Sequence, residues 1–139
     1  MRSSGNAKLD LLQSVPLFGG CSKDELEAIS AIAEEVDFPQ GRRLITEGQD
    51  AVSEFFVIVD GQAQVTRGDA ELSVLGPGDW AGEIALISDA PRSASVTATT
   101  PIVVLVITRG AFLALLRDSP TIAQKVLASV GARLAADAV

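Results

Sequence analysis

The chain has 139 residues, 47% of them hydrophobic, and a formal net charge of −7. This length and composition predict one domain, residues 1–139, with a buried core, and the negative charge makes nucleic acid and anionic lipid poor partners for this chain alone. With no histidine and one cysteine, the sequence excludes histidine-based metal sites, histidine-dependent catalysis and internal disulfide bonds.

The sequence shows no sign of secretion or membrane insertion. Residues 1–6 are polar, and no apolar secretion segment stands behind them. The longest fully apolar run, residues 102–107, is too short to span a bilayer. We therefore expect a cytoplasmic protein with no membrane partner.

The first third of the chain, about residues 9–36, has apolar residues at helical spacing. Pro16 is expected to end a first short helix, and Ser22-Lys23-Asp24-Glu25 has the pattern of a capping box that starts a second helix. Cys21 and Leu26 fall at the two staple positions of that box, so we interpret Cys21 as a structural residue rather than a reactive thiol. The apolar positions of the second helix are Leu26, Ile29, Ile32, Ala33 and Val36.

Between about residues 37 and 108 the pattern changes to short segments rich in Val, Ile and Phe, separated by turns that contain glycine. One strand is predicted at residues 62–67. Alternation in residues 62–66 and 93–98 predicts that each segment has one face toward a core and one toward polar surroundings. The apolar run 102–107 predicts a strand buried on both faces. Short strands at regular spacing indicate an antiparallel sandwich or barrel. The other predicted strands are residues 43–46, 54–59 and 71–75.

The last part of the chain, about residues 109–136, is predicted to form two helices. Thr108 can cap the first, and Ser119 followed by Pro120 starts the second. The second helix carries an apolar stripe, which either packs on the barrel, the simpler interpretation, or covers in part a ligand or a second subunit. The stripe consists of Ile122, Val126, Val130 and Leu134, with Leu127 beside them.

Two isolated charges, Glu83 and Arg92, lie in a segment of small and apolar residues, and Arg92 is the only cation between residues 68 and 108. The glycine-rich lead-in 76–82 predicts a loop entering one helical turn at residues 83–87, whose unpaired backbone N–H groups can bind an anion. Because a carboxylate accepts bonds from hydroxyls and a guanidinium holds phosphate oxygens, the pair indicates a ligand with a diol and a phosphate. The alternative is a surface ion pair worth at most about 1 kcal/mol.

The segment GEIALISDAPRSASV, residues 82–96, resembles the phosphate-binding cassette of the cyclic nucleotide-binding domains. That family includes catabolite activator proteins, regulatory subunits of cAMP-dependent protein kinase and cyclic nucleotide-gated channels. The helical start, LITEGQDAVSEFFVIVDGQAQV, LGPGDWAGE and the closing helices follow the family order from about residue 9 to 135. The resemblance implies a mainly β fold, an eight-stranded antiparallel jelly-roll β-barrel with helices at both ends, that binds a 3′,5′-cyclic nucleotide.

The resemblance also implies roles for the residues of the cassette. Glu83 would bond the ribose 2′-hydroxyl, and Arg92 would bond the cyclic phosphate together with the backbone N–H groups of Ala85 and Ser93. A hydroxyl residue after the arginine occurs in readers of both nucleotides, and we expect cAMP, with cGMP as the alternative. The expected ligand-binding residues are Gly82, Glu83, Ile84, Ala85, Arg92, Ser93 and Ala94.

Two positions depart from the family pattern. Ala81 stands where the family usually has Phe, and the last helix offers no aromatic residue to stack on the base. A lid over the base would then be formed by Val126, Leu127 and Val130, or by a partner chain.

We expect a non-catalytic sensor or regulatory domain, without metal or cofactor, that relays ligand binding through its last helix. The effector is not visible in this sequence, so it would be a separate partner or another part of a longer protein. The same helix is the expected contact for an effector or a second copy. The alternative function is a ligand-free structural or dimerisation module on the same barrel, with residues 122–134 as its interface.

Overall fold

The computed structural model of the chain describes residues 5–48, 54–82, 86 and 94–137, with the backbone alone at residues 5–6 and 133–137. Within these residues, helices precede and follow a series of short β-strands. In chain order the elements are α1 (Gly5–Gln13), the 3-10 helix η1 (Pro16–Phe18), α2 (Lys23–Ala31), β1 (Glu34–Phe38), β2 (Arg43–Ile45), β3 (Glu54–Asp60), β4 (Ala63–Arg67), β5 (Ala70–Leu75), β6 (Trp80–Ala81), β7 (Ser95–Ala98), β8 (Ile102–Thr108), α3 (Arg109–Asp118) and α4 (Pro120–Asp137).

The capping box predicted at the start of α2 is confirmed. Ser22 Oγ accepts a bond from the Glu25 N–H at 3.2 Å, and the Ser22 N–H donates to Glu25 Oε1 at 2.7 Å. Both bonds satisfy donors that the first turn of a helix leaves without an intrahelical partner. Cys21 and Leu26, on either side of the box, are buried in the same core cluster. This burial agrees with a structural role for Cys21.

The second helix is shorter than its apolar spacing predicts. α2 ends at Ala31, and Val36 lies in β1 instead. β1 pairs with β8, so that Val36 stands opposite Val104. A single apolar residue such as Val36 is compatible with helical spacing and with strand alternation. The backbone hydrogen bonds to β8 therefore decide that Val36 belongs to a strand.

The strands form two antiparallel four-stranded sheets, so the prediction of a closed eight-stranded barrel is wrong in its closure. Sheet A has the order β1-β8-β3-β6 and sheet B the order β2-β7-β4-β5. The described residues do provide eight strands, all paired antiparallel. At one edge of each sheet lies a strand of only two or three residues, β6 or β2. Strands this short offer little backbone for a ladder that would join the sheets.

Strand β8 is buried on both faces, as its apolar run predicts. Leu105 and Ile107 face the helices, whereas Val104 and Val106 face sheet B. One strand therefore supplies both layers of the core. The helical core cluster comprises Leu12, Val15, Leu17, Phe18, Cys21, Leu26, Ile29, Ala33, Phe55, Val57, Leu86, Leu105, Ile107, Phe112, Ile122 and Val126. The intersheet core cluster comprises Ile45, Phe56, Ile58, Ala63, Val96, Ala98, Ile102, Val104 and Val106.

The C-terminal helices begin where the sequence predicts. Thr108 Oγ1 accepts a bond from the Ala111 N–H at 3.3 Å at the start of α3, and α4 starts at Pro120. Helix α4 packs on η1 and α3. Ile122 and Val126 are buried in the helical core cluster, which also contains residues of β3 and β8. For this part of the apolar stripe, the packing favours the simpler interpretation. No helix in the described part of the chain is long and apolar enough to cross a membrane.

Candidate functional site

The structure describes the two ends of the predicted cassette and the predicted lid, but little of what lies between the ends. Gly82 and Ala94 are described, and so are Val126, Leu127 and Val130. The helical turn expected at residues 83–87 lies outside the described residues except for Leu86. Also outside them are Glu83, Ile84, Ala85, Arg92 and Ser93.

The first end of the cassette is fastened to strand β3. In the turn before β6, Asp79 Oδ2 accepts a bond from the Gly76 N–H at 2.8 Å. The Gly78 N–H donates to the Ile58 carbonyl and the Ile58 N–H donates to the Asp79 carbonyl, both at 2.8 Å. Strand β6 then pairs with β3, a strand that the glycine-rich lead-in does not predict. The segment that leads into the cassette is therefore paired with the edge of sheet A.

Gly82 has φ +83°, in the left-handed region that favours glycine. It follows Ala81, which packs against the intersheet core cluster at the place where the family pattern has Phe. This backbone conformation favours glycine, because a side chain at this φ strains the backbone. This left-handed conformation lies directly before Glu83.

The second end of the cassette is fixed by the hydroxyl of Ser95, the first residue of β7. Ser95 is 2% exposed, and its Oγ accepts a bond from the Glu47 N–H at 3.0 Å. Strand β7 lies between β2 and β4 in sheet B. The last residues of the cassette therefore join the middle of a sheet.

Leu86 connects the cassette to the helices. Its side chain is fully buried in the helical core cluster, together with Phe112 of α3 and Val126 of α4. The sequence indicated no role for Leu86 beyond membership in the motif. Its burial places this residue of the cassette in the same core cluster as residues of the C-terminal helices.

The three predicted lid residues do not share one environment. Val126 is buried with 4% exposed, and Val130 packs against the same helical core cluster. Leu127 is 72% exposed. In the described arrangement α4 thus turns two of the three lid candidates toward the N-terminal helices.

A polar contact holds α4 to the start of α2. The Lys125 ammonium donates to Glu25 Oε1, and the Glu25 side chain is 12% exposed. The hydrogen bond from Lys125, followed by that from the Ser22 N–H, lowers the pKa of Glu25 to about 2. Burial and the nearby Glu25 carboxylate raise the pKa of the Cys21 thiol, against a smaller effect of Lys125. Cys21 is thus held as the neutral thiol, which agrees with its structural interpretation.

Among the residues that the structure describes, no group of three or more Cys, Asp or Glu side chains is arranged to hold a metal ion. What the described residues offer instead is a pair of fixed backbone ends on either side of the motif that contains Glu83 and Arg92.

Two contacts at and near the site were not predicted from the sequence, namely Ser95 with Glu47 and Lys125 with Glu25. The first joins residues 48 positions apart and the second joins residues 100 positions apart. Neither pair has a local spacing that indicates contact, although the smallness of Ser95 within the motif was visible.

Comparisons with known proteins identify the family. The family model for the cyclic nucleotide-binding domain matches residues 35–119. The cAMP-dependent protein kinase regulatory subunit of Mycosarcoma maydis is 40% identical over 91 residues, which are 63% of this chain and 17% of that protein. The cyclic AMP receptor protein of Thermus thermophilus is 30% identical over 128 residues, which are 88% of this chain and 59% of that protein.

A solved structure has the same architecture over most of its length. It is the N-terminal domain of a transcriptional regulator from Streptomyces coelicolor A3(2), with a TM-score of 0.86 and 28% identity, covering 92% of this chain and 94% of that one. These proteins are described as a regulatory subunit, a receptor and a transcriptional regulator, which agrees with a regulatory rather than catalytic chain. One of these proteins is a transcriptional regulator, which gives no support to the expectation that this chain alone does not bind nucleic acid. That expectation stays a prediction.

The family assignment rests on coverage of this chain rather than of its relatives. The chain spans 17% and 59% of the length of the two curated relatives. The family model, in contrast, covers more than half of the chain, including both Glu83 and Arg92. The two antiparallel sheets with flanking helices match a solved structure of the same type. The chain belongs to the cyclic nucleotide-binding domain family.

Proposed function

We propose that this chain is a non-catalytic sensor that binds cAMP in preference to cGMP. The observation that carries the proposal is the family match over residues 35–119, because that range contains both charges of the motif, Glu83 and Arg92. The preference for cAMP draws support from relatives that are described as a cyclic AMP receptor and a cAMP-dependent kinase subunit.

In the proposed site, the two charged residues hold opposite parts of one ligand. Glu83 accepts a bond from the ribose 2′-hydroxyl, and the Arg92 guanidinium donates to the cyclic phosphate, a charge-assisted contact. The N–H groups of Ala85 and Ser93 complete the phosphate contacts. Gly82 and Ala94, which are small, let the backbone approach the ligand, and Ile84 belongs to the same segment. The fixed ends at β6 and Ser95 support this proposal, since a binding loop needs anchored ends to be preorganised.

The signal is proposed to pass from the cassette to α4 through Leu86. Because Leu86 shares the helical core cluster with Ile122 and Val126, a shift of the cassette changes the surface on which α4 packs. Close-packed cores respond to such shifts by repacking rather than by bending continuously. Val126 and Val130 would reach the base only after α4 leaves its described position, so the output is a shift in the population of two α4 positions.

Helix α4 is also the proposed contact for an effector or a second copy of the chain. Leu127, 72% exposed on this helix, would contribute to that contact. We further propose that the whole chain, residues 1–139, acts as one domain and does not bind nucleic acid on its own, in keeping with its net charge of −7.

A ligand-free structural module is the second candidate function, and one observation favours it. Val126 is buried among the N-terminal helices rather than free to cover a base, and α4 has no aromatic residue in its sequence. A domain that has lost its ligand would keep such packing. Glu83 and Arg92 argue for the sensor, because a structural module has no need of this charge pair.

Titration calorimetry with cAMP, cGMP and 5′-AMP separates the two candidates. The sensor is expected to bind cAMP most tightly, cGMP more weakly and 5′-AMP least. The proposed site pairs Glu83 with one free ribose hydroxyl and Arg92 with a cyclic phosphate, and 5′-AMP lacks the cyclic phosphate. Absence of binding heat with either cyclic nucleotide would favour the structural module. The relay is tested in parallel, since hydrogen exchange of residues 120–135 that does not change with saturating cAMP would contradict it.

A further inference from the structure

Among the side chains that the structure describes, Ser95 is the one polar or charged residue that is buried, with 2% of its surface exposed. A buried hydroxyl is unfavourable unless it makes hydrogen bonds. Ser95 Oγ accepts one from the Glu47 N–H at 3.0 Å. The reason for a serine at this position therefore lies in what that bond holds.

The Ser95–Glu47 bond extends the ladder between β2 and β7. The last backbone pair of these strands joins Ile45 to Val96, next to a shift in register. Glu47 follows β2 in a turn, and its N–H meets the side chain of Ser95 rather than a backbone carbonyl. The hydroxyl thus fixes the start of β7 at a place where the regular ladder has ended.

The side chain of Glu47 continues the connection to a third segment. Glu47 Oε1 accepts a bond from the Gly68 N–H at 2.8 Å, in the turn between β4 and β5. Strand β4 flanks β7 on its other side, with Thr66 opposite Ser95. Ser95 is therefore held between both neighbouring strands, and Glu47 fastens the turn that follows β2 to the turn that follows β4.

We propose that Ser95 is a positioning residue for Arg92 and that Glu47 is its partner, an inference that rests on the proposed function. Arg92 precedes Ser95 by three positions in the chain, so the start of β7 sets where the end of the cassette is anchored. A guanidinium that grips phosphate oxygens at two points depends on accurate placement, and small displacements of such groups weaken binding strongly. The Ser95–Glu47–Gly68 connection supplies that placement.

The chain contains a matched control at the other end of the same strand. Thr100 Oγ1 accepts a bond from the Gln62 N–H, also at 3.0 Å. Thr100 follows β7 (Ser95–Ala98), whereas Ser95 begins it. A purely structural role predicts that removal of either hydroxyl has similar consequences for ligand binding, whereas positioning of Arg92 predicts a difference.

The test compares Ser95→Ala and Thr100→Ala for cAMP affinity and for stability to urea. Loss of Ser95 is expected to raise the Kd for cAMP roughly three- to tenfold, the effect of one hydrogen bond. Thr100→Ala is expected to change the Kd by less than about twofold. In an Arg92→Lys background, the effect of Ser95→Ala is expected to shrink below about twofold, because the two residues then no longer act together. Similar effects of Ser95→Ala and Thr100→Ala on the Kd, or full additivity with Arg92→Lys, would overturn the positioning role.

A second variant keeps the test valid if Ser95→Ala does not fold. Glu47→Ala removes the carboxylate that accepts from Gly68 in an exposed turn, and it is expected to raise the Kd for cAMP roughly threefold. An unchanged Kd in a folded Glu47→Ala protein would contradict the inference. If the unaltered chain binds neither cAMP nor cGMP, the proposed function fails and this inference with it. If the unaltered chain binds and the variants bind equally well, only the positioning role fails.

Discussion

Lys125 on α4 donates a hydrogen bond to Glu25 Oε1 on the first turn of α2, across 100 positions of sequence. Glu25 is the same carboxylate that accepts the Ser22 N–H in the capping box. One side chain therefore both starts α2 and holds α4 against it. Since α4 also buries Ile122 and Val126 in the helical core cluster, the position of this helix depends on polar contact with Glu25 as well as on apolar packing.

Glu25→Gln is expected to loosen α4 while leaving α2 intact. Glutamine can still accept the Ser22 N–H, because capping boxes use Glu or Gln, but it removes the charge that attracts Lys125. We expect hydrogen exchange in α4 to rise roughly threefold. If α4 must leave its described position to cover the base, cAMP affinity should rise by about twofold. Exchange mass spectrometry and calorimetry measure the two effects.

Glu27→Gln is the matched control for the loosening of α4. Glu27 is exposed and lies on α2, the same helix as Glu25. It is expected to leave α4 exchange unchanged. Lys125→Met, which keeps an apolar stem but removes the ammonium, should reproduce Glu25→Gln, and the double variant should add nothing further. Equal exchange in Glu25→Gln and Glu27→Gln would show that the ion pair does not hold α4.

The same pair gives the protein an acid-dependent contribution to stability. The pKa of Glu25 is lowered from 4.5 to about 2, so the unfolded chain binds more protons than the folded one as the pH falls. The contribution is fully present above about pH 4.5 and is lost progressively toward pH 2. We expect the difference in unfolding free energy between the unaltered chain and Glu25→Gln to stay constant from about pH 7 to pH 5 and to shrink toward pH 3. Urea denaturation across this range measures it, and a difference that does not vary with pH would contradict the assignment.

The sequence predicts those features whose cause is local. The capping box at Ser22 and Glu25 lies within four residues, and the burial of β8 follows from its own apolar run. β6 could not be predicted, because its two residues become a strand only by pairing with Phe56 and Val57 of β3. The prediction of a closed barrel was wrong for a related reason. The length of the edge strands is decided by their neighbours, and their own residues carry no signal for it.

The candidate site shows the same division. Glu83 and Arg92 stood out because they are isolated charges in a segment of small residues. The bond between Ser95 and Glu47 had no such signal, since it depends on how sheet B brings together residues 48 positions apart. The sequence could assign candidate lid residues to α4, but the direction in which Val126 and Leu127 point depends on the helices beneath α4.

Truncation of the two charged residues should weaken cAMP binding to different degrees. Arg92→Ala leaves a buried phosphate without its partner, and we expect a loss of about 2 to 5 kcal/mol, mostly through faster dissociation. Glu83→Ala removes a bond to a charged acceptor and should cost roughly 1.5 to 3 kcal/mol. Stopped-flow dissociation and calorimetry measure both. An Arg92→Ala protein that binds cAMP as tightly as the unaltered chain would show that the phosphate lies elsewhere.

Gly82→Ala tests whether the left-handed conformation directly before Glu83 serves the ligand. Gly82 has φ +83°, where an alanine is disfavoured by about 1 kcal/mol. Part of this strain can be relieved by a change in the backbone that leads to Glu83, so we expect both a lower unfolding free energy and a cAMP Kd raised by up to about fivefold. Gly76→Ala is the control, because Gly76 lies in the same lead-in, lacks a positive φ and has open space where a Cβ would stand. It should change stability by less than about 0.5 kcal/mol and leave the Kd unaltered. If Gly82→Ala lowers stability but not affinity, the left-handed conformation is a requirement of the fold alone, and the glycine has no part in placing Glu83 at the ribose.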